Sequence, residues 1–107
     1  MKAGQVTRLA VIGNPVAHSR SPEIHHAFAR NVGVHLSYEK KLAGLDEFER
    51  VADQFVAGGG RGFNVTLPFK GDAFNWVTER SEAAIRSEAV NTVSISESGR
   101  IRGENTD

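Results

Sequence analysis

The chain has 107 residues, with 13 Lys+Arg against 13 Asp+Glu, four His, no Cys, and 39% hydrophobic and 24% charged residues. This balance describes one ordinary globular domain spanning 1–107, with enough apolar material for its own core. The lack of cysteine excludes a disulfide framework and a thiolate metal site and points to a reducing, cytoplasmic setting; a net charge of zero lacks the basic surplus that phosphate neutralisation needs, so nucleic acid is not an expected partner. No apolar segment follows Lys2 and Arg8 as in a signal peptide, and no run approaches the roughly 20 apolar residues of a membrane span.

Leu9-Ala10-Val11-Ile12 is a continuous apolar run closed by Gly13-Asn14-Pro15, the pattern of a strand buried on both faces followed by a loop. Ser21-Pro22-Glu23 then reads as a helix N-cap, a proline at the first helical position and an acid in the first turn. With Ile24, Ala27 and Phe28 at helical spacing, it predicts a helix over 21–31, stopped by Gly33. Residues 36–42 partly alternate apolar with polar, as an edge strand does. Asp46 and Glu49 form a capping pair ahead of a stripe made by Leu45, Phe48, Val51, Ala52, Phe55 and Val56, which ends at Gly58-Gly59-Gly60.

A strand is predicted over 62–66. Pro68 then opens a helix with Phe69, Ala73, Trp76 and Val77 on one face. A short helix follows over 79–86, then a strand over 89–96, and Ser98-Gly99 turns the chain into a last strand around 100–102, making a hairpin. Alternating strands and helices predict an α/β fold: a three-layer sandwich with a mixed, mostly parallel sheet flanked by helices and right-handed crossovers. No internal repeat or low-complexity tract marks a linker or second domain.

The glycine run 58–62 is no phosphate loop. It precedes a strand and lacks both the Walker Lys-Ser/Thr pair and the G-x-G-x-x-G spacing. His18, His25, His26 and His35 show no metal-ligand spacing, so no metal is expected. Asn64-Val65-Thr66 matches the glycosylation acceptor only formally, since no secretion signal accompanies it.

Small polar residues fall where strands end: Ser19 and Ser21 after the first strand, Asn64 and Thr66 at the end of the third, Asn91 and Thr92 near the later one. Ligands of open α/β sheets bind beyond the carboxyl ends of strands, so these groups are candidates for one crevice. Hydroxyls and amides there suit a carboxylate and ring hydroxyl groups. Each residue also has a local explanation: Ser21 and Thr66 as helix caps, Asn91 as partner of a nearby backbone group. Lys70 lies in the first turn of its helix, where the dipole disfavours a cation, which suits a lysine that gives or takes a proton.

Taken together, G-N-P-V-A-H-S-R-S-P at 13–22, N-V-T-L-P-F-K at 64–70, A-V-N-T at 89–92 and G-E-N-T-D at 103–107 make the chain resemble the N-terminal substrate-binding domain of the shikimate dehydrogenase family. The resemblance covers nearly the whole chain. It implies reduction of 3-dehydroshikimate to shikimate with NADPH, a step of aromatic amino-acid biosynthesis, with NADP(H) held on a separate C-terminal domain that this chain lacks. It further implies that Ser19 and Ser21 bind the substrate carboxylate with help from Thr66, that Asn64 and Asn91 hold ring substituents, and that Lys70 and Asp107 are the catalytic pair.

Glu88, where many relatives have Gly, and Glu104, where Asp is frequent, depart from the family pattern. The missing nucleotide domain implies weak substrate binding and no turnover by these residues alone. Loss of a C-terminal helix that packs here in relatives implies an apolar patch and self-association. Two rivals stand beside this reading. One is a paralogue preferring quinate; the other is a non-catalytic polyhydroxy-acid-binding module, which has no need of a Lys70–Asp107 pair.

Overall fold

The apolar run predicted to be a doubly buried strand is the centre of the sheet. In a computed structural model, which describes residues 7–14 and 36–106, the elements in chain order are β1 (Thr7–Gly13), β2 (Leu36–Leu42), α1 (Phe48–Ala57), β3 (Gly60–Val65), α2 (Lys70–Trp76), β4 (Glu79–Arg80), α3 (Glu82–Ser87), β5 (Thr92–Ile95) and β6 (Ile101–Glu104). The six strands form one sheet in the order β2-β1-β3-β5-β6-β4. β1 pairs in parallel with both β2 and β3, and β4 with β6; β5 runs antiparallel to β3 and to β6. This is the mixed, mostly parallel sheet with helices expected of an α/β sandwich, with β2 at an edge as its alternating pattern predicted.

Alternation of side chains gives the sheet two different faces. Ala10 and Ile12 of β1 lie opposite Phe63 and Val65 of β3, and Phe63 opposite Val93 of β5. All are buried in one cluster with Phe48, Ala52 and Phe55 of α1 and with Phe69 and Ala73 at α2. Aromatic rings fill this layer. Phe48 stacks on Phe69 at 5.6 Å and meets Trp76 edge-on at 6.1 Å, while Phe55 meets Phe63 edge-on at 6.0 Å. Each such ring stabilises the fold by about 1.5–3 kcal/mol through burial. The other face carries Leu9, Val11, Tyr38, Asn64 and Thr92, paired in register across β2, β1, β3 and β5. Its composition changes from apolar to polar along that row.

Several boundaries differ from the sequence expectation. Asp46 is not the cap: α1 starts after Glu47, which makes no side-chain bond to a helix N–H and whose carboxylate instead accepts from the Gly44 N–H at 3.2 Å in the preceding turn. Leu45 is 70% exposed and stands outside the buried stripe. Pro68 does not open α2. A cis Leu67-Pro68 bond places it in a turn closed by Phe69 N–H to Thr66 O at 3.0 Å, and the helix begins at Lys70. Thr66 therefore does not cap the helix either. The helix predicted over 79–86 splits, because Glu79 and Arg80 pair with β6 as β4 and Ser81 caps α3 by accepting from the Ala84 N–H at 3.1 Å. Ala89 and Val90 belong to the turn leaving α3, so β5 starts only at Thr92. The final hairpin forms as expected, with Gly99 at φ 87 in its turn. The helix expected over 21–31 lies outside the described residues.

Candidate functional site

Strand direction decides which residues meet. Parallel β1 and β3 finish at the same rim, antiparallel β5 starts there, and β6 ends there. Backbone bonds bind the connecting segments together: Thr66 N–H to Ile12 O at 3.0 Å, Asn14 N–H to Leu67 O at 3.2 Å, Val65 N–H to Asn91 O at 2.8 Å, Val90 N–H to Lys70 O at 2.9 Å, and Asn91 N–H to Glu104 O at 3.0 Å. The ends of β1, β3 and β6, the start of β5 and the first residue of α2 thus form one continuous polar edge.

On this edge the side chains form a hydrogen-bonded chain. The Tyr38 hydroxyl donates to Asn64 Oδ1. Asn64 Nδ2 reaches Asn91 O and Thr92 Oγ1, each at 3.4 Å. The Thr92 hydroxyl donates to Asn91 Oδ1 at 2.9 Å, and Asn91 Nδ2 donates to Thr106 Oγ1 at 3.1 Å. Asn91 Oδ1 also accepts from the Thr106 N–H at 3.2 Å, so both ends of that amide grip one residue. Next to it, Asn105 Nδ2 donates to Ser87 Oγ at 2.8 Å and Ala89 O at 3.3 Å. Among the described residues no buried side-chain nitrogen or oxygen lacks a partner. A satisfied network of this kind is rigid and keeps its amides preorganised.

Of the residues singled out from the sequence, Asn64, Thr66, Lys70 and Asn91 come to this one rim. Asn64 and Lys70 are half-buried, Thr66 faces the same loop, and Asn91 is almost fully covered. The Asn91 side chain bonds the Thr92 hydroxyl and, 15 positions away, both the hydroxyl and the N–H of Thr106, so its partners are not the local backbone group that its alternative explanation invoked. Ser19, Ser21, Asp107 and the four histidines lie outside the described residues. The sequence reading gave no role to Tyr38 or Thr106. Tyr38 was traceable in principle: it is the one tyrosine of the chain, in an alternating edge strand, and buried tyrosines keep their hydroxyl bonded. Thr106 was already inside the G-E-N-T-D motif.

Glycines 58–60 lead into β3 and present no helix N-terminus to a dinucleotide, in line with their sequence spacing. A cleft of about 340 Å³ lies elsewhere, between α1 and α2, lined by Asp46, Glu49, Asp72 and Trp76 among others. Its carboxylates would repel an anionic ligand, so the polar rim is the better candidate. No helix of the described residues is long and apolar enough to cross a membrane.

Residues 11–93 match the family described as shikimate dehydrogenase substrate binding domain. A shikimate dehydrogenase (NADP(+)) of Chromobacterium violaceum is 52% identical over 100 residues, covering 94% of this chain and 36% of its own length. Among solved structures, an Ael1 enzyme from Pseudomonas putida is 42% identical with a TM-score of 0.88, over 92% of this chain and 36% of its own. A shikimate 5-dehydrogenase from Thermus thermophilus, in complex with shikimate, is 39% identical with a TM-score of 0.86, over 94% and 38%. The chain thus spans somewhat more than a third of the length of such relatives. With the fold, the motifs and these matches in agreement, the chain belongs to the family of shikimate dehydrogenase substrate-binding domains.

Proposed function

We propose that this chain is the substrate-binding part of an NADP-dependent shikimate dehydrogenase, with shikimate or 3-dehydroshikimate bound at the polar rim. The observation that carries the proposal is the convergence of Asn64, Thr66, Lys70 and Asn91, from separate stretches of sequence, on one edge. In this reading Ser19 and Ser21 bind the carboxylate with Thr66 nearby, while Asn64 and Asn91 set the ring by its hydroxyl groups. Lys70 and Asp107 serve the oxygen that alternates between carbonyl and hydroxyl. As the carbonyl carbon is reduced, the Lys70 ammonium stabilises the oxygen's growing negative charge and supplies a proton, and Asp107 orients the group and shares that proton.

The described residues offer no dinucleotide cradle, so NADP(H) is assigned to the part of the relatives beyond this match. The 107 residues alone are expected to bind shikimate weakly and not to turn over. A cytoplasmic location and self-association of the isolated chain belong to the same proposal.

Equilibrium dialysis against shikimate and quinate, with Lys70→Ala and Asn64→Ala variants, tests it. Millimolar or tighter shikimate binding that drops about tenfold in each variant supports the site, at about 1.4 kcal/mol per interaction. Binding unaffected by either change refutes it. Oxidation of NADPH by the chain alone with 3-dehydroshikimate would overturn the division of labour.

A further inference from the structure

From Tyr38 through Asn64, Thr92 and Asn91 to Thr106 Oγ1 a run of side-chain donors follows one direction along the rim, while the Thr106 N–H donates back to Asn91 Oδ1. A phenol hydroxyl has one proton, and that of Tyr38 is spent on Asn64 Oδ1. The Asn64 amide must therefore turn its oxygen towards β2 and its NH2 towards β5 and the rim. Its Nδ2 contacts there, to Asn91 O and Thr92 Oγ1, are both long at 3.4 Å. These donors are weakly engaged compared with the oxygen, so they are the end best able to meet an incoming ligand oxygen. The direction passes on: Thr92 Oγ1, approached by that NH2, donates its own proton to Asn91 Oδ1 at 2.9 Å, and Asn91 Nδ2 faces Thr106.

The tyrosine is placed to impose this order. Tyr38 sits in β2 opposite Leu9, only 7% exposed, and β1 lies between its strand and that of Asn64, so its ring spans the central strand on the polar face. A buried hydroxyl in that position is costly to leave unbonded, and so is the amide oxygen it meets. We propose that Tyr38 is a positioning residue that locks the Asn64 amide with its NH2 towards the rim, so that Asn64 recognises a ligand oxygen as a hydrogen-bond donor. The proposal deepens the function given above and rests on it for the ligand's identity, but the lock itself is a property of the free protein.

The test separates the two. In the free 15N-labelled chain, Tyr38→Phe should shift the Asn64 side-chain NH2 signals and bring their exchange with water up severalfold, leaving the Phe63 and Val65 backbone amides unchanged. Unmoved Asn64 signals would overturn the lock whatever the ligand. With shikimate, Tyr38→Phe should weaken binding about fivefold to tenfold, in proportion to one lost hydrogen bond. In an Asn64→Ala background the same change should have no further effect, because its target is gone. Equal losses in both backgrounds would mean that Tyr38 acts through packing and not through Asn64, and would overturn the proposal. If the wild-type chain binds no shikimate, the proposed function falls while the NH2 signals still decide on Tyr38.

Discussion

Glu88 is a charged residue in a place made for glycine. It follows α3 at φ 53 and ψ 37, in the left-handed region, and its N–H bonds to Ala84 O. The next N–H, that of Ala89, reaches the same carbonyl at 3.3 Å, the long bond of a Schellman-type helix end. A non-glycine residue there costs roughly 1–2 kcal/mol in backbone sterics. Replacing it with glycine removes that cost but adds about 0.5–1 kcal/mol of chain entropy on unfolding, so the conformational part of Glu88→Gly, apart from its charge, should gain ~0.5–1 kcal/mol. An unfolding entropy of about 2.1 cal/mol/K per residue gives about 225 cal/mol/K for the 107 residues, hence a rise in Tm of about 2–4 °C.

Charge must be separated from conformation, because an acid at a helix C-terminus is itself unfavourable by ~0.3 kcal/mol or more. Glu88→Ala removes the charge and keeps the strain, so it should gain only those few tenths. Thermal unfolding of the three proteins by circular dichroism measures the difference. A glycine variant no more stable than the alanine variant would refute the left-handed backbone at Glu88 as a source of strain.

Gly103→Ala should destabilise by about 1–3 kcal/mol, since its new methyl would stand 2.7 Å from Val90 Cγ2 and 3.0 Å from Val77 Cγ2 in the closed core; chemical denaturation measures it. Asn91→Ala should cost about 2 kcal/mol through lost buried hydrogen bonds and should speed hydrogen exchange of the Thr106 amide, whose acceptor it removes. Burial opposes ionisation of Glu39, but hydrogen bonds from Lys41 and Arg8 and their charges together outweigh it and hold the carboxyl below its ordinary value of 4.5. Its stabilisation is therefore full above that value and is lost as pH falls through the lower folded-state value. Glu39 is partly exposed, so wild type should exceed Glu39→Gln by less than about 1 kcal/mol at neutral pH, with the gap closing only below about pH 4.5. A gap that persists at pH 2 would contradict the ion-pair explanation.

Local patterns were readable where one short-range rule decides. The apolar run of β1, the alternation of β2, the stripe of α1 and the Ser98-Gly99 turn each follow from side-chain periodicity or backbone freedom. β4 was hidden because two residues, Glu79 and Arg80, carry no periodicity; only pairing with β6 makes them a strand. The start of α2 was misplaced because Pro68 fits both the first turn of a helix and a turn ahead of it, and the Phe69 N–H to Thr66 O bond selects the latter. At the rim, Asn64, Thr66, Lys70 and Asn91 could be named from motifs, yet their meeting depends on strand order. The link from Tyr38 to Asn64 crosses 26 positions of sequence and the width of a strand, which no local pattern encodes.

The rim site is tested most directly by mapping shikimate-induced amide shifts on the 15N-labelled chain. Changes concentrated at residues 64–70, 89–92 and 104–106, and absent from the acidic cleft around Asp46, Glu49 and Asp72, are the predicted result. Shifts centred on that cleft, or spread evenly over the surface, would contradict it.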